Sequence, residues 1–155
     1  MALETERKFL VNGDGWRSAV VSTEDLVQGY LSVDADREVR VRTSGVDRAV
    51  ITVKGRRVGL TRSEFEYAIP MHEAREILTL CVGSLIEKRR HLLSLGTGRW
   101  VVDEFTGRSA GLVVAEVEWD EGQPVPPTPH WAGQDVSLDE RYSNAVLSTA
   151  PFTTW

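Results

Sequence analysis

Glu4, Glu6 and Lys8 stand at alternate positions in the run Leu3-Glu4-Thr5-Glu6-Arg7-Lys8-Phe9-Leu10. In an extended strand neighbouring side chains point to opposite faces, so these three share one face and Leu3, Thr5, Arg7 and Phe9 the other. Two carboxylates and an ammonium in a row can hold a divalent cation beside a phosphate; a solvated strand face would carry the same residues. The pattern recurs, however. Glu-x-Glu returns at Glu64/Glu66 and Glu116/Glu118, and alternating bases stand at Arg40/Arg42 and Lys88/Arg90. Collected along the chain, the alternating acids are Glu4, Glu6, Glu64, Glu66, Asp103, Glu116 and Glu118, and the bases are Lys8, Arg40, Arg42, Lys54, Arg62, Lys88 and Arg90. Lys and Arg clamp phosphoryl oxygens, and carboxylates hold Mg2+ or Mn2+, which bridge to the same oxygens. Bases alone would suit any anion. The added acids would repel a phosphate unless metal ions neutralised them, so the mixture points to a metal-dependent site for a polyanion.

The elements that must position these residues are mostly short strands. Leu3 to Leu10 is the first, followed by the turn Asn12-Gly13-Asp14-Gly15 and a short helix expected over Trp16 to Val21. Strands are expected at Leu26 to Val33, Glu38 to Thr43 and Val50 to Lys54, with Gln28 and Tyr30 on one face of the first. The glycine-bounded loop Gly55-Arg56-Arg57-Val58-Gly59 either touches phosphate or is solvated, and it lacks the Gly-Lys-Ser/Thr ending of a P-loop. The second half repeats the first: a strand over Arg62 to Tyr67, an amphipathic helix from His72 to Cys81, then strands Leu85 to Leu92, Trp100 to Phe105 and Leu112 to Trp119. Pro124 to Pro129 is a stiff connector, and Ser137-Leu138-Asp139-Glu140 reads as the capping box of a terminal helix carrying Tyr142, Val146 and Leu147.

A duplicated strand–helix–three-strand unit gives eight strands, suited to an antiparallel sheet, and closing that sheet would remove its edges. An open sheet would leave the charges in water. A closed barrel would turn them into a polar tunnel, with helices covering its outer apolar face, and would make neighbours of Glu4, Glu6, Glu116 and Glu118. Asp103 fits this scheme only with a bulge or twist, because Val101 and Phe105 share its face.

The totals narrow the function classes. The 155 residues suffice for one domain, residues 1–155, with a real core, and 41% hydrophobic against 26% charged residues is an ordinary globular balance. A net charge of −5 argues against a nucleic-acid partner. No apolar run is long enough to span a membrane, and with Glu4 and Glu6 so near the start no signal peptide is expected. A single cysteine, Cys81, rules out an internal disulfide and is expected in the core, so a cytoplasmic protein is expected. His72, His91 and His130 lack metal-ligand spacing and are expected at the surface.

In order and spacing these residues resemble the CYTH family, the triphosphate tunnel metalloenzymes. The resemblance runs through Glu4-x-Glu6-x-Lys8, Gln28-Gly29-Tyr30-Leu31, Val39-Arg40-Val41-Arg42, Thr52-Val53-Lys54, Arg62-x-Glu64-x-Glu66, Glu87-Lys88-Arg89-Arg90, Val102-Asp103-x-Phe105, Ala115-Glu116-Val117-Glu118 and Arg141-Tyr142-Ser143-Asn144. It implies an eight-stranded antiparallel barrel around a tunnel, like the short bacterial inorganic triphosphatases; thiamine or nucleoside triphosphatases, adenylyl cyclases and a non-catalytic triphosphate or polyphosphate binder stay open as alternatives. Residue by residue, Glu4, Glu6, Asp103, Glu116 and Glu118 resemble the metal-binding acids, and Lys8, Arg40, Arg42, Lys54, Lys88 and Arg90 the phosphate clamp. Arg62, Glu64 and Glu66 resemble residues that orient the clamp, and Lys8 and Tyr30 the candidates for proton transfer. The implied reaction uses two ions, Mg2+ or Mn2+, and the implied partner is a small-molecule triphosphate bound by a monomer or a homodimer.

Overall fold

The computed structural model describes residues 3–155. Nine strands run in chain order: β1 (Leu3–Val11), β2 (Val20–Val33), β3 (Arg37–Ser44), β4 (Arg48–Gly55), β5 (Thr61–Ala68), β6 (Val82–Leu93), β7 (Arg99–Thr106), β8 (Val113–Trp119) and β9 (Ala132–Asp135). Every pairing is antiparallel, in the order β5-β4-β3-β2-β6-β7-β8-β1-β9, and β1 also pairs with β5. That pairing closes eight strands into a barrel, through the short seam Leu3↔Ser63, Glu4↔Arg62 and Thr5↔Thr61. The opening strand of each half completes the other half's meander, β5 against β4 and β1 against β8. The duplication therefore has a structural counterpart.

Alternation sorts the side chains into three environments. Outside the barrel, Phe9, Leu93, Trp100, Val102, Ala115, Val117 and Trp119 pack with Trp16 and Trp131. This face is covered by loops rather than by the expected helices: the Trp16 segment forms only a 3-10 turn over Gly15–Ala19, because Trp16 alone of its residues is buried. Helix α1 (Met71–Leu78) covers another face, setting Ala74 against Val41 and Ala49. Inside, the charged positions face one another. At one end of the interior Tyr30, Ile86, Phe105, Leu112 and Val114 meet Ala145 and Leu147 of the short helix α2 (Asn144–Leu147), so this end is closed by apolar packing.

The C-terminal expectation needs correcting. Ser137 does not cap a helix. Its hydroxyl accepts from the Lys8 backbone N–H at 2.9 Å, and the Val136 N–H donates to the Lys8 carbonyl at 2.9 Å. A 3-10 turn occupies Glu140–Tyr142, and α2 begins at Asn144 with Ser143 as its cap. A hydroxyl in a capping sequence is free to bond elsewhere, and here the tertiary partner wins. The extra strand β9 shows no alternation that would betray it; it is four residues added to the edge of β1. No bulge accompanies Asp103, since the register is continuous from Arg90↔Asp103 to Asp103↔Val114. Val101 simply joins the polar interior and Phe105 the apolar end. Helix α1 stops at Leu78, which leaves Cys81 half-buried at the junction with β6 rather than in the core. His91 is buried, not at the surface: its Nδ1 pairs with the Thr23 hydroxyl at 2.8 Å and its Nε2 with Glu104 at 3.0 Å.

Leu147 is fully buried in the apolar end. Leu147→Ala is expected to destabilise the protein by about 2–5 kcal/mol, through lost transfer energy and an unfilled cavity. Urea denaturation measures it, and a shift under 1 kcal/mol would show that α2 does not close the barrel.

Candidate functional site

Closure of the barrel brings the alternating charges together around a cavity of about 300 Å³. Glu4, Glu6 and Lys8 reach it from β1, Tyr30 from β2, Arg40 and Arg42 from β3, Lys54 from β4, and Arg62, Glu64 and Glu66 from β5. Lys88 and Arg90 reach it from β6, and Glu116 and Glu118 from β8. A larger cavity of about 600 Å³ shares Glu6, Lys8, Glu38, Arg57 and Arg62 with it and lies between the β2–β3 turn, the β4–β5 loop and residues 136–146.

Acids and bases interleave. Across the β1–β8 pair Glu6 stands opposite Glu118, and Lys8 opposite Glu116. The four carboxylates on these strands therefore do not form an unbroken acidic wall. The Lys54 ammonium contacts both Glu4 oxygens, at 2.9 and 3.0 Å, and Glu64 at 3.8 Å. Arg62 lies 3.6 Å from Glu4 and 3.2 Å from Glu38. Glu6 accepts from Arg57 at 3.0 Å, Glu118 from Arg99 at 3.0 Å, and Glu116 lies 3.4 Å from Lys8 and 3.7 Å from Arg90. Glu66, whose side chain is about as exposed as that of Glu118, lies 3.9 Å from Arg42.

Asp103 stands apart. It is fully buried, its two oxygens accept from Arg90 at 2.8 Å each, and Lys88 lies 2.9 Å away. Among the expected site residues it alone is missing from the cavity wall. It anchors two bases that do face the cavity.

The electrostatics follow from this pairing. Burial works against the charged form of Asp103, but Arg90 and Lys88 hold its carboxyl below the usual range. The same balance holds Glu116 low, with Lys8 and Arg90 outweighing burial. Asp103 in turn holds Arg90 above the ordinary guanidinium value against burial. Burial pulls Lys88 down to about 7; Asp103 opposes, and Arg90 adds to the pull. Burial, with Arg40 and Arg90 beside it, lowers Arg42 to about 10. Burial pushes the Tyr30 phenol up to about 12, which keeps it neutral and makes it a donor rather than a base near pH 7. Glu118 is raised by burial and, against Arg99, by Glu4.

The donor set is all oxygen and suits a hard cation such as Mg2+ or Mn2+. Glu4 disfavours the charge on Glu118, and a cation would relieve that. Among the described residues no three carboxylates or imidazoles converge as a preformed centre, because each acid already meets a base. The residues fit a metal whose ligands are released when the bases turn to another anion.

Several wall residues went unassigned from sequence. Glu38 shares the alternation of Arg40 and Arg42, so a signal existed. Arg57 comes from the basic loop, where a solvated reading was equally open. Arg99 stands at the β7 start, on the face of Val101 and Asp103. Asn144 carries no periodic signal; its Oδ1 accepts from Lys88 Nζ at 3.0 Å.

Residues 2–149 match the family model for the CYTH domain. The chain is 42% identical to an inorganic triphosphatase of Acetivibrio thermocellus over 98% of its own length and 97% of the relative's. It is 36% identical to an inorganic triphosphatase of Nitrosomonas europaea, covering 94% and 96% of the two chains. Among solved structures, a crystal structure of an inorganic triphosphatase superposes with a TM-score of 0.63 at 30% identity, covering 96% of this chain and 95% of that one. A conserved hypothetical protein from Pyrococcus furiosus, at 18% identity and a TM-score of 0.64, covers 78% and 81% and shares the fold. A closed barrel with its charged positions turned inward, and a family match over nearly its whole length, show that the chain belongs to the CYTH family.

Proposed function

We propose that the chain hydrolyses inorganic triphosphate to pyrophosphate and phosphate with a divalent metal ion. The observation that carries this reading is the set of interior ion pairs. Each acid of the wall meets a base, in a cavity of about 300 Å³, and three arginine Nε atoms, of Arg40, Arg42 and Arg62, are buried without a hydrogen-bond partner among the described residues. A linear triphosphate brings anionic oxygens to those bases. The carboxylates then need a new positive partner, which a divalent cation supplies. The two triphosphatase relatives at 42% and 36% identity support the same substrate.

The geometry supports the following residue roles. Lys8, Arg40, Arg42, Lys54, Lys88 and Arg90 bind the phosphate chain and stabilise the charge that builds on the departing pyrophosphate. Asp103, with both oxygens on Arg90 and Lys88, holds those two bases in place, and Arg62 and Glu64 position Glu4 and Lys54. Glu4, Glu6, Glu116 and Glu118 would hold the metal. When bound, the ion supplies charge neutralisation at the phosphoryl oxygens and a more acidic water. Lys8, 3.4 Å from Glu116, is the candidate to move that water's proton, and Tyr30, held neutral, donates to a phosphoryl oxygen. No helix among the described residues is long and apolar enough to cross a membrane. A cytoplasmic location is part of this proposal, and the single cysteine, which fits a reducing compartment, supports it.

The test is a panel of inorganic, thiamine and nucleoside triphosphates with Mg2+ and with Mn2+, assayed for phosphate and pyrophosphate. Metal-dependent release of one phosphate and one pyrophosphate from inorganic triphosphate is expected. Tight binding without turnover under either metal would make the chain a triphosphate-binding module instead.

A further inference from the structure

The arginines of the wall are not its only orphans. Gln28 is fully buried on β2, on the same side as Tyr30, and its Oε1 has no hydrogen-bond partner among the described residues. A buried amide oxygen without a donor carries a desolvation cost, so its retention calls for an explanation. Its surroundings supply one. Gln28 stands directly opposite Arg42 across the β2–β3 pair, and Tyr30 opposite Arg40. The amide Nε2 donates to the Tyr30 hydroxyl at 3.4 Å. A hydroxyl has one hydrogen to give. Here the Tyr30 oxygen is an acceptor, and among the described residues its own hydrogen meets no acceptor. The amide orientation matters: turned the other way, Gln28 would present its oxygen to Tyr30 and take the hydroxyl hydrogen itself.

We infer that Gln28 is a positioning residue: by donating to the Tyr30 oxygen it directs the Tyr30 hydrogen at a phosphoryl oxygen of the bound triphosphate. The inference rests on the triphosphate reading and adds to it a residue that touches no reacting atom. The neutrality of Gln28 matters. A carboxylate at this place would take the Tyr30 hydrogen itself, and an ammonium would compete with Tyr30 for the phosphate.

The experiment is a double-mutant cycle on the full chain: wild type, Gln28→Met, Tyr30→Phe and both together. Affinity for inorganic triphosphate is measured by calorimetry in chelator, turnover with Mg2+, and melting temperature for each protein. Each single change is expected to weaken binding about five- to tenfold, the size of one lost hydrogen bond. The double variant is expected to be no weaker than the weaker single, because Gln28 has nothing to direct once the hydroxyl is gone. Losses that multiply, a Gln28→Met protein that binds as wild type does, or coupling confined to the melting temperatures would each overturn the inference. If Gln28→Met does not fold, Gln28→Leu completes the cycle. A wild type that binds inorganic triphosphate under no condition removes the triphosphate reading, and this inference with it; a wild type that binds while the cycle is additive removes the Gln28 role alone.

Discussion

Asp103→Asn is expected to destabilise the protein by about 3–5 kcal/mol and to lower turnover of inorganic triphosphate by a factor of at least about 10², because it breaks a buried pair and frees the bases it anchors. Asp103 is fully buried between Arg90, which it binds through both oxygens at 2.8 Å, and Lys88 at 2.9 Å. Asparagine keeps the shape but removes the charge that opposes burial at Lys88, and it leaves Arg90 only Glu116 at 3.7 Å. The pH dependence carries a sign that can be checked. The folded Asp103 carboxyl titrates below its ordinary value. Such a group contributes stability that is fully present above the unfolded value, about pH 4, and is lost as the pH falls through the folded value. Glu116, also held low, acts in the same direction. Urea denaturation between pH 7 and pH 2 should therefore show wild-type stability falling in acid and a flatter profile for Asp103→Asn. An Asp103→Asn protein as stable as wild type at pH 7 would show that Arg90 and Lys88 do not depend on it.

The double change Glu4→Gln and Glu6→Gln is expected to lower turnover by a factor on the order of 10² to 10³, and to remove stabilisation by Mg2+ or Mn2+. Four carboxylates on one wall would by themselves repel, and neutralising two would then leave the chelated protein as stable or more so. The ion pairs reverse that expectation. Glu4 binds Lys54 at 2.9 Å and lies 3.6 Å from Arg62, and Glu6 binds Arg57 at 3.0 Å. Lys54 would retain only Glu64, at 3.8 Å. The variant should melt lower in chelator by about 6–12 °C, taking roughly 3 kcal/mol for a broken buried pair in a domain of this size. Thermal melts of both proteins, in chelator and then with metal, give the result. A variant that is still stabilised by metal as strongly as wild type would remove Glu4 and Glu6 from the metal site.

The strand pattern and the barrel were legible because alternation is strict: Glu4, Glu6 and Lys8 face one way and Phe9 the other, and a closed barrel is what gives such charges a common purpose. The C-terminal segment was not legible. Ser137 carries a capping signal, but the distant Lys8 backbone and the Asp135 carboxylate take its hydroxyl instead. Lining of the cavity was legible through the same alternation: of the residues it picked out, all but Asp103 lie on the wall. What alternation cannot report is pairing. It gave Asp103 the same standing as Glu116, although one is sealed against two bases and the other faces the cavity. Arg57, from a loop without periodicity, could not be told from a solvated arginine until the loop was seen folded onto Glu6.

If phosphate takes the bases while metal takes the acids, metal and triphosphate must each tighten the other's binding by the same factor. Calorimetric titration of a non-hydrolysable imido analogue of triphosphate, with and without Mn2+, measures this directly, with the Glu4→Gln, Glu6→Gln protein correcting for metal–analogue complexes formed in solution. The expected result is weak binding alone and at least about tenfold tighter binding with metal, an enhancement that the double variant lacks. Equal affinity for the analogue with and without Mn2+, or the same enhancement in wild type and double variant, would contradict the exchange of ion pairs on which the catalytic site is built.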